Sequence, residues 1–158
     1  GKTQAGWLQK AGPSKVFEQQ FESLLPPCTW HENIIEVLWK KLAVNAVINP
    51  LTAINDIKNG ELLAADYLPY IQKISAEIAA VMEKLDIHTS PDTLVNNCMQ
   101  VAQDTANNFS SMHQDTKYKR RTEIDYINGY VASQAKKLGI DMPINAQLWR
   151  QIKKMEAN

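Results

Sequence analysis

YIQKISAEIAAVMEKL, residues 70 to 85, decides the fold class. Its Ile71, Ile74, Ile78, Val81 and Leu85 recur at alternating intervals of three and four, which lines them up on one face of an α-helix and predicts a core element. Upstream, ENIIEVLWKKLAVNAVI (32 to 48) is helical by period, with Ile34, Ile35, Leu38, Leu42 and Val47 suited to burial. A residue before proline is pushed out of the α region, so Asn49-Pro50 is expected to end or kink that helix, and Asn55 to Gly60 reads as a turn. Downstream, Ser90-Pro91-Asp92 is an N-cap followed by proline at the first helical position, opening a helix through Leu94, Cys98, Val101 and Ala102 to about Asn107.

EIDYINGYVASQAKKLGI (123 to 140) contains Asn128-Gly129, a hairpin signal taken alone, yet Ile124, Ile127, Val131 and Leu138 keep helical spacing across it. A helix ending at Gly139 is the expectation. A glycine inside a helix costs about 1 kcal/mol relative to alanine, so Gly129 implies close approach by a backbone or a ligand. After Pro143, Asn145 can cap a last helix bearing Leu148, Trp149, Ile152 and Met155. At the other end, Gly1 to Gly12 reads as a frayed strand or hairpin. Ser14 then caps a helix carrying Val16, Phe17, Phe21, Leu24 and Leu25, which Pro26-Pro27 stops. The body is a mainly α helical bundle behind a short strand and helix.

At 158 residues the chain can bury a core of its own, and its 17 basic residues balance 17 acidic ones. That neutrality gives no footprint for nucleic acid or an anionic membrane. No apolar run reaches a membrane span or a signal core, so a soluble, cytoplasmic chain is expected. Cys28 and Cys98 form no CxxC pair, and His31, His88 and His113 lack metal-ligand spacing, so no metal is predicted. The basic run of Lys117, Lys119, Arg120 and Arg121 reads as a solvated turn, and Trp30 and Trp39 as packing anchors.

Lys41, Asn45 and Asn49 recur every four residues, so they drift by only about 40° per step and form a polar stripe roughly 12 Å long. Residue type alone leaves two readings open. One is a solvated face, since exposed lysines are the usual case. The other is a site for a small oxyacid, in which an ammonium and two carboxamides polarise a carbonyl.

The stretch WKKLAVNAVINPLTAINDIKNGEL (39 to 62) carries a Lys-Leu-x-x-Asn-x-x-x-Asn-Pro-x-Thr-Ala pattern that resembles the C-terminal domain of ketopantoate reductases. SSMHQDTKYKRRTEIDYINGY (110 to 130) resembles a second block of that family, in the expected order and separation. The resemblance implies a helical fold related to the C-terminal domains of 6-phosphogluconate dehydrogenases. It also implies two regions: residues 1–30 as the remnant of a nucleotide-binding domain, and 31–158 as a substrate-binding, catalytic domain.

By the same resemblance, Lys41 is the catalytic lysine that protonates a ketone oxygen. Asn45, Asn49, Asn59 and Ser111 hold the substrate, and Glu123 lies by the cofactor. Read without the resemblance, Glu123 is a first-turn helix carboxylate favoured by the helix dipole. Asp115 is a secondary candidate that serves equally as a cap.

The implied activity is NADPH-dependent reduction of ketopantoate to pantoate, in the route to pantothenate and coenzyme A. No GxGxxG occurs, however, so the main NADPH-binding domain is expected to be missing and the isolated chain to be an inactive fragment. Two alternatives stand beside this: a non-enzymatic helical binding module, and a reductase of another 2-oxo acid. Oligomeric state is not legible.

Overall fold

A computed structural model describes residues 3–8 and 15–157. The chain divides into two compact units, Gly1–Lys41 and Leu42–Asn158, and the division falls inside one long helix. The Ser14 cap lies outside the described residues.

In the first unit, β1 (Thr3–Gly6), α1 (Lys15–Leu24) and β2 (Cys28–His31) precede the start of α2 (Ile34–Asn55). The two strands run parallel, Thr3 opposite Cys28 and Gly6 opposite His31, so of the strand or hairpin expected at this end the strand is present, paired through a strand–helix–strand crossover. A helix between two strands returns the chain to its starting end, and the strands then pair in the same direction. Trp30 on β2 meets Trp7, Phe21 and Phe17 with ring centroids 5.1, 5.6 and 6.2 Å away. Leu38, expected inside, is 50% exposed. The helix that carries it is apolar nearly all round, so spacing does not single out one buried face.

In the second unit, α3 (Leu68–Lys84) packs on α4 (Pro91–Asp104), α6 (Asn128–Leu138) and α7 (Pro143–Glu156), with the short α5 (Ser111–Lys117) between α4 and α6 in the chain. Ile71, Ile74, Ile78 and Val81 of α3 are all buried, as their spacing requires. The Ser90 hydroxyl accepts from the Thr93 amide at 3.1 Å and starts α4. Gly139 ends α6 with φ +69°, a left-handed conformation natural to glycine.

Three expectations are corrected here. Of the two outcomes expected at Pro50, the stop does not occur, because α2 continues to Asn55. Proline has no N–H to offer the carbonyl four residues back, and that carbonyl, of Ala46, instead accepts from the side-chain amide of Asn128 at 2.9 Å. The helix expected from Glu123 begins only at Asn128. The amides of Tyr126 and Ile127 close a separate turn on the Glu123 carbonyl, and Gly129 N–H then reaches back to Ile124. Finally, Asn145 does not cap α7. The Glu77 carboxylate of α3 does, accepting from the amides of Ile144 and Asn145 at 2.9 Å each. A carboxylate is well suited to the unsatisfied N–H groups and positive end of a helix dipole.

The close approach expected at Gly129 comes from a side chain, since a Cβ there would lie 3.2 Å from the Trp149 ring. Among the described residues no helix is long and apolar enough to cross a membrane.

Candidate functional site

Asn128 anchors a buried polar relay inside the second unit. Besides the Ala46 carbonyl, its amide lies 3.1 Å from the Asn145 carboxamide oxygen, and Asn145 in turn donates to Glu77 at 2.7 Å. Asn128 and Asn145 are fully buried, so each bond replaces one that water would otherwise make. The relay holds the turn from Glu123 to Ile127 against the stretch of α2 that carries Asn45 and Asn49. Glu123 itself is exposed, and among the described residues its carboxylate has no hydrogen-bond partner. It does not lie in the first turn of a helix.

A second junction joins α2 to α5. The hydroxyls of Thr52 and Ser110 are 2.8 Å apart, and Ser110 caps α5 by accepting from the His113 amide at 3.1 Å. Asn49 sits one turn before Thr52, and Ser111 directly follows Ser110, so this bond draws the two predicted residues to one junction. Asn49 is 8% exposed with no side-chain partner among the described residues; Ser111 is exposed. Asn59 reaches the same segment from another side. Its amide N–H donates to Asn108 at 2.9 Å, its side chain donates to Thr105 at 2.9 Å, and its buried side-chain oxygen has no partner. Gly60 follows because any Cβ would collide with Ala106, its nearest atom 2.6 Å away.

Asn45, Asn49, Asn59 and Ser111 therefore belong to one unit, with Asn59 bonded to Thr105 and Asn108 and Asn49 one turn from Thr52, which bonds Ser110. Asp115, one turn after Ser111 on α5, forms an ion pair with Arg120 at 3.0 Å. Lys41 belongs to the first unit, exposed on α2 one helical turn before Asn45 in the chain. Residue-type reasoning passes over Ser110, Thr52, Asp56 and His113, although a serine at position 110 just before a helix is itself a capping signal. A cavity of about 310 Å³ beside Leu51, Ile54, Tyr67, Tyr70 and Leu148 contains none of the predicted residues. Its lining is mostly apolar, whereas the junction brings hydroxyl and carboxamide groups together and is the better candidate for holding a polar ligand.

Known proteins give the same fold. Residues 33–156 match the family described as ketopantoate reductase PanE/ApbA C terminal. The 2-dehydropantoate 2-reductase of Vibrio cholerae serotype O1 is 44% identical over 157 residues, covering 99% of this chain and 53% of that protein. That of Escherichia coli O157:H7 is 44% identical over 149 residues, 94% of this chain and 48% of its own length. The chain thus spans about half the length of these curated relatives. A D-mandelate dehydrogenase solved with NADH and anilino(oxo)acetate superposes with a TM-score of 0.81 at 28% identity, over 90% of this chain and 60% of that one. A putative 2-dehydropantoate 2-reductase from Enterococcus faecalis gives 0.76 at 27%, over 90% and 48%.

Fold and relatives define the class: a mainly α domain of the kind found at the C-terminal end of these reductases. Within that class, the chain belongs to the ketopantoate reductase C-terminal family.

Proposed function

We propose that this chain is the substrate-binding, proton-donating half of an NADPH-dependent 2-dehydropantoate 2-reductase, reducing ketopantoate to pantoate in the cytoplasm once joined to a nucleotide-binding half. What supports the reading is the Thr52–Ser110 hydroxyl bond, which ties the part of α2 bearing Asn49 to the segment bearing Ser111, in a chain 44% identical over 157 residues to a reductase of that name. On this reading residues 1–30, whose described part holds β1, α1 and most of β2, are the end of the nucleotide-binding domain.

A reduced nicotinamide, when bound, supplies a hydride to the ketone carbon. As that bond forms, the carbonyl π pair moves onto oxygen, and the Lys41 ammonium stabilises the growing alkoxide and gives it a proton. The carboxamides of Asn45, Asn49 and Asn59 and the Ser111 hydroxyl hold the carboxylate and hydroxyl of the substrate, so that the ketone presents one face. The residues here fit only the nicotinamide end of such a cofactor. Glu123 is exposed on a fixed turn and orients it, whereas the sequence has no glycine-rich turn for a diphosphate. Asp115, held by Arg120, shapes the end of α5 and takes no part in the reaction.

The test joins this chain to the N-terminal half and follows NADPH absorbance with ketopantoate. Lys41→Ala is expected to lower kcat by about 10²- to 10⁴-fold with the fold retained. An inactive parent protein would refute the reductase reading and favour a binding module. The likeness to D-mandelate dehydrogenase supports a second reading, a reductase of another 2-oxo acid; comparing kcat/KM for ketopantoate and aryl 2-oxo acids, with NADPH and NADH, decides between them.

A further inference from the structure

α2 ends in a way that runs against the usual residue preference. Ile57 N–H closes on the Thr52 carbonyl at 3.1 Å, the bond that spans a helix C-terminus when the residue before it turns left-handed. That residue is Asp56, with φ +52°. Glycine is the residue that fits such a position without strain; α3 ends the same way on Asp86, φ +57°, so it is the partner of the Asp56 side chain that sets this end apart. The Asp56 side chain has one partner, His113, whose Nε2 donates to it at 2.6 Å. His113 is 2% exposed, and its ring stacks on Phe109 with centroids 4.3 Å apart. The ammoniums of Lys58 and Lys117 lie 5.8 and 5.6 Å from the Phe109 centroid.

His113 lies two residues beyond Ser111, on the same turn of α5. The N-terminus of α5 is therefore held to α2 twice, through Ser110 on Thr52 and through His113 on Asp56. We propose that Asp56 and His113 are a positioning pair that fixes Ser111 against Asn49 for the substrate, an inference that rests on the reductase reading above. A single hydroxyl contact lets a seven-residue helix pivot about it. A second contact one turn further along removes that freedom and sets the distance between the two polar groups that grip the oxyacid.

The deciding variant is Asp56→Gly, made in this chain joined to its N-terminal half. It deletes the carboxylate, gives the left-handed position its preferred residue, and leaves water to replace an oxygen that is already largely exposed. The thermal midpoint is expected to hold or rise while KM for ketopantoate rises roughly tenfold and kcat changes less. His113→Leu should repeat the KM rise. Asp56→Asn, which keeps an oxygen acceptor and tolerates the left-handed backbone, should stay within about twofold of the parent.

A midpoint that falls together with the KM rise would assign the pair to folding alone and overturn the proposal, as would an unchanged KM, which leaves the reductase reading standing. A parent protein with no ketopantoate turnover overturns both. In this chain alone, Asp56→Gly should displace the Ser111 and Met112 amide resonances and spare those of α3; an unmoved Ser111 also overturns the pairing.

Discussion

Cys98 illustrates how far burial changes one side chain. It is 1% exposed against the core, and burial pushes its thiol up to about 12, with Ser75 acting weakly the other way. Only the thiolate attacks an electrophile, and with that value on the order of 10⁻⁴ of Cys98 is ionised at pH 8. Cys98 is expected to stay unmodified by a thiol reagent until the chain unfolds, whereas Cys28 is half-buried and reachable. Mass-mapped labelling under native conditions and in denaturant checks this, and rapid native labelling of Cys98 would contradict it. The same scale separates the polar residues by role. Asn128 and Asn145 spend their hydrogen bonds on backbone, on each other and on Glu77, whereas Asn49 and Ser111 do not.

At the scale of elements, the Pro50–Asn128 arrangement makes a sharp prediction. Asn128→Ala leaves the buried Ala46 carbonyl unpaired and is expected to cost about 1–3 kcal/mol, measured by denaturant unfolding. Pro50→Ala restores an N–H to that carbonyl. In the Pro50→Ala background, removal of Asn128 should therefore cost less, by about 0.5–3 kcal/mol of coupling. Equal costs in both backgrounds would mean that Asn128 acts through Asn145 alone.

This case also marks where sequence reading stops. α3, α4 and the end of α6 are legible because period, Ser90 and Gly139 are local signals. The carbonyl that Pro50 leaves free, of Ala46, meets a donor 82 positions away from it, which no window along the chain contains. β2 is four residues long, too short for alternation to register, and the delayed start of α6 follows from side chains on α7. The candidate site divides likewise. Its residues lie in two motifs legible in the sequence, but the hydroxyl pair and the Asp56–His113 contact that join those motifs arise only in three dimensions.

Across the second unit, the C-terminal helix is fastened by charge. Asp125 accepts from the Trp149 indole at 2.8 Å and from Lys153 at 3.0 Å, while Glu156 accepts from the amide and hydroxyl of Thr122 at 2.7 and 2.8 Å. The Trp149 bond, then Lys153, holds Asp125 below its ordinary 3.8. For Glu156 burial alone raises the value, but bonds from Lys153 and Thr122 outweigh it and leave it below 4.5. Lys153 is held above 10.5 by Glu156 first and Asp125 second.

A depressed carboxylate stabilises the fold above its ordinary value and loses that contribution as pH falls through the depressed one. A raised lysine stabilises below its ordinary value and loses it as pH climbs through the raised one. The thermal midpoint should thus be flat in this contribution between about 4.5 and 10.5 and decline on either side. Lys153→Ala should weaken both limbs, as a melting series across pH would record.

The proline in α2 carries a historical corollary. With Asn128 in place, replacing Pro50 merely offers the Ala46 carbonyl a second donor, and Asn128 is then free to drift. Taken in the other order, the path runs through a protein with a buried carbonyl facing nothing. Descendants of this chain are therefore expected to lose the proline before the asparagine, and a lineage that keeps Pro50 has almost no freedom at a residue far from it in sequence.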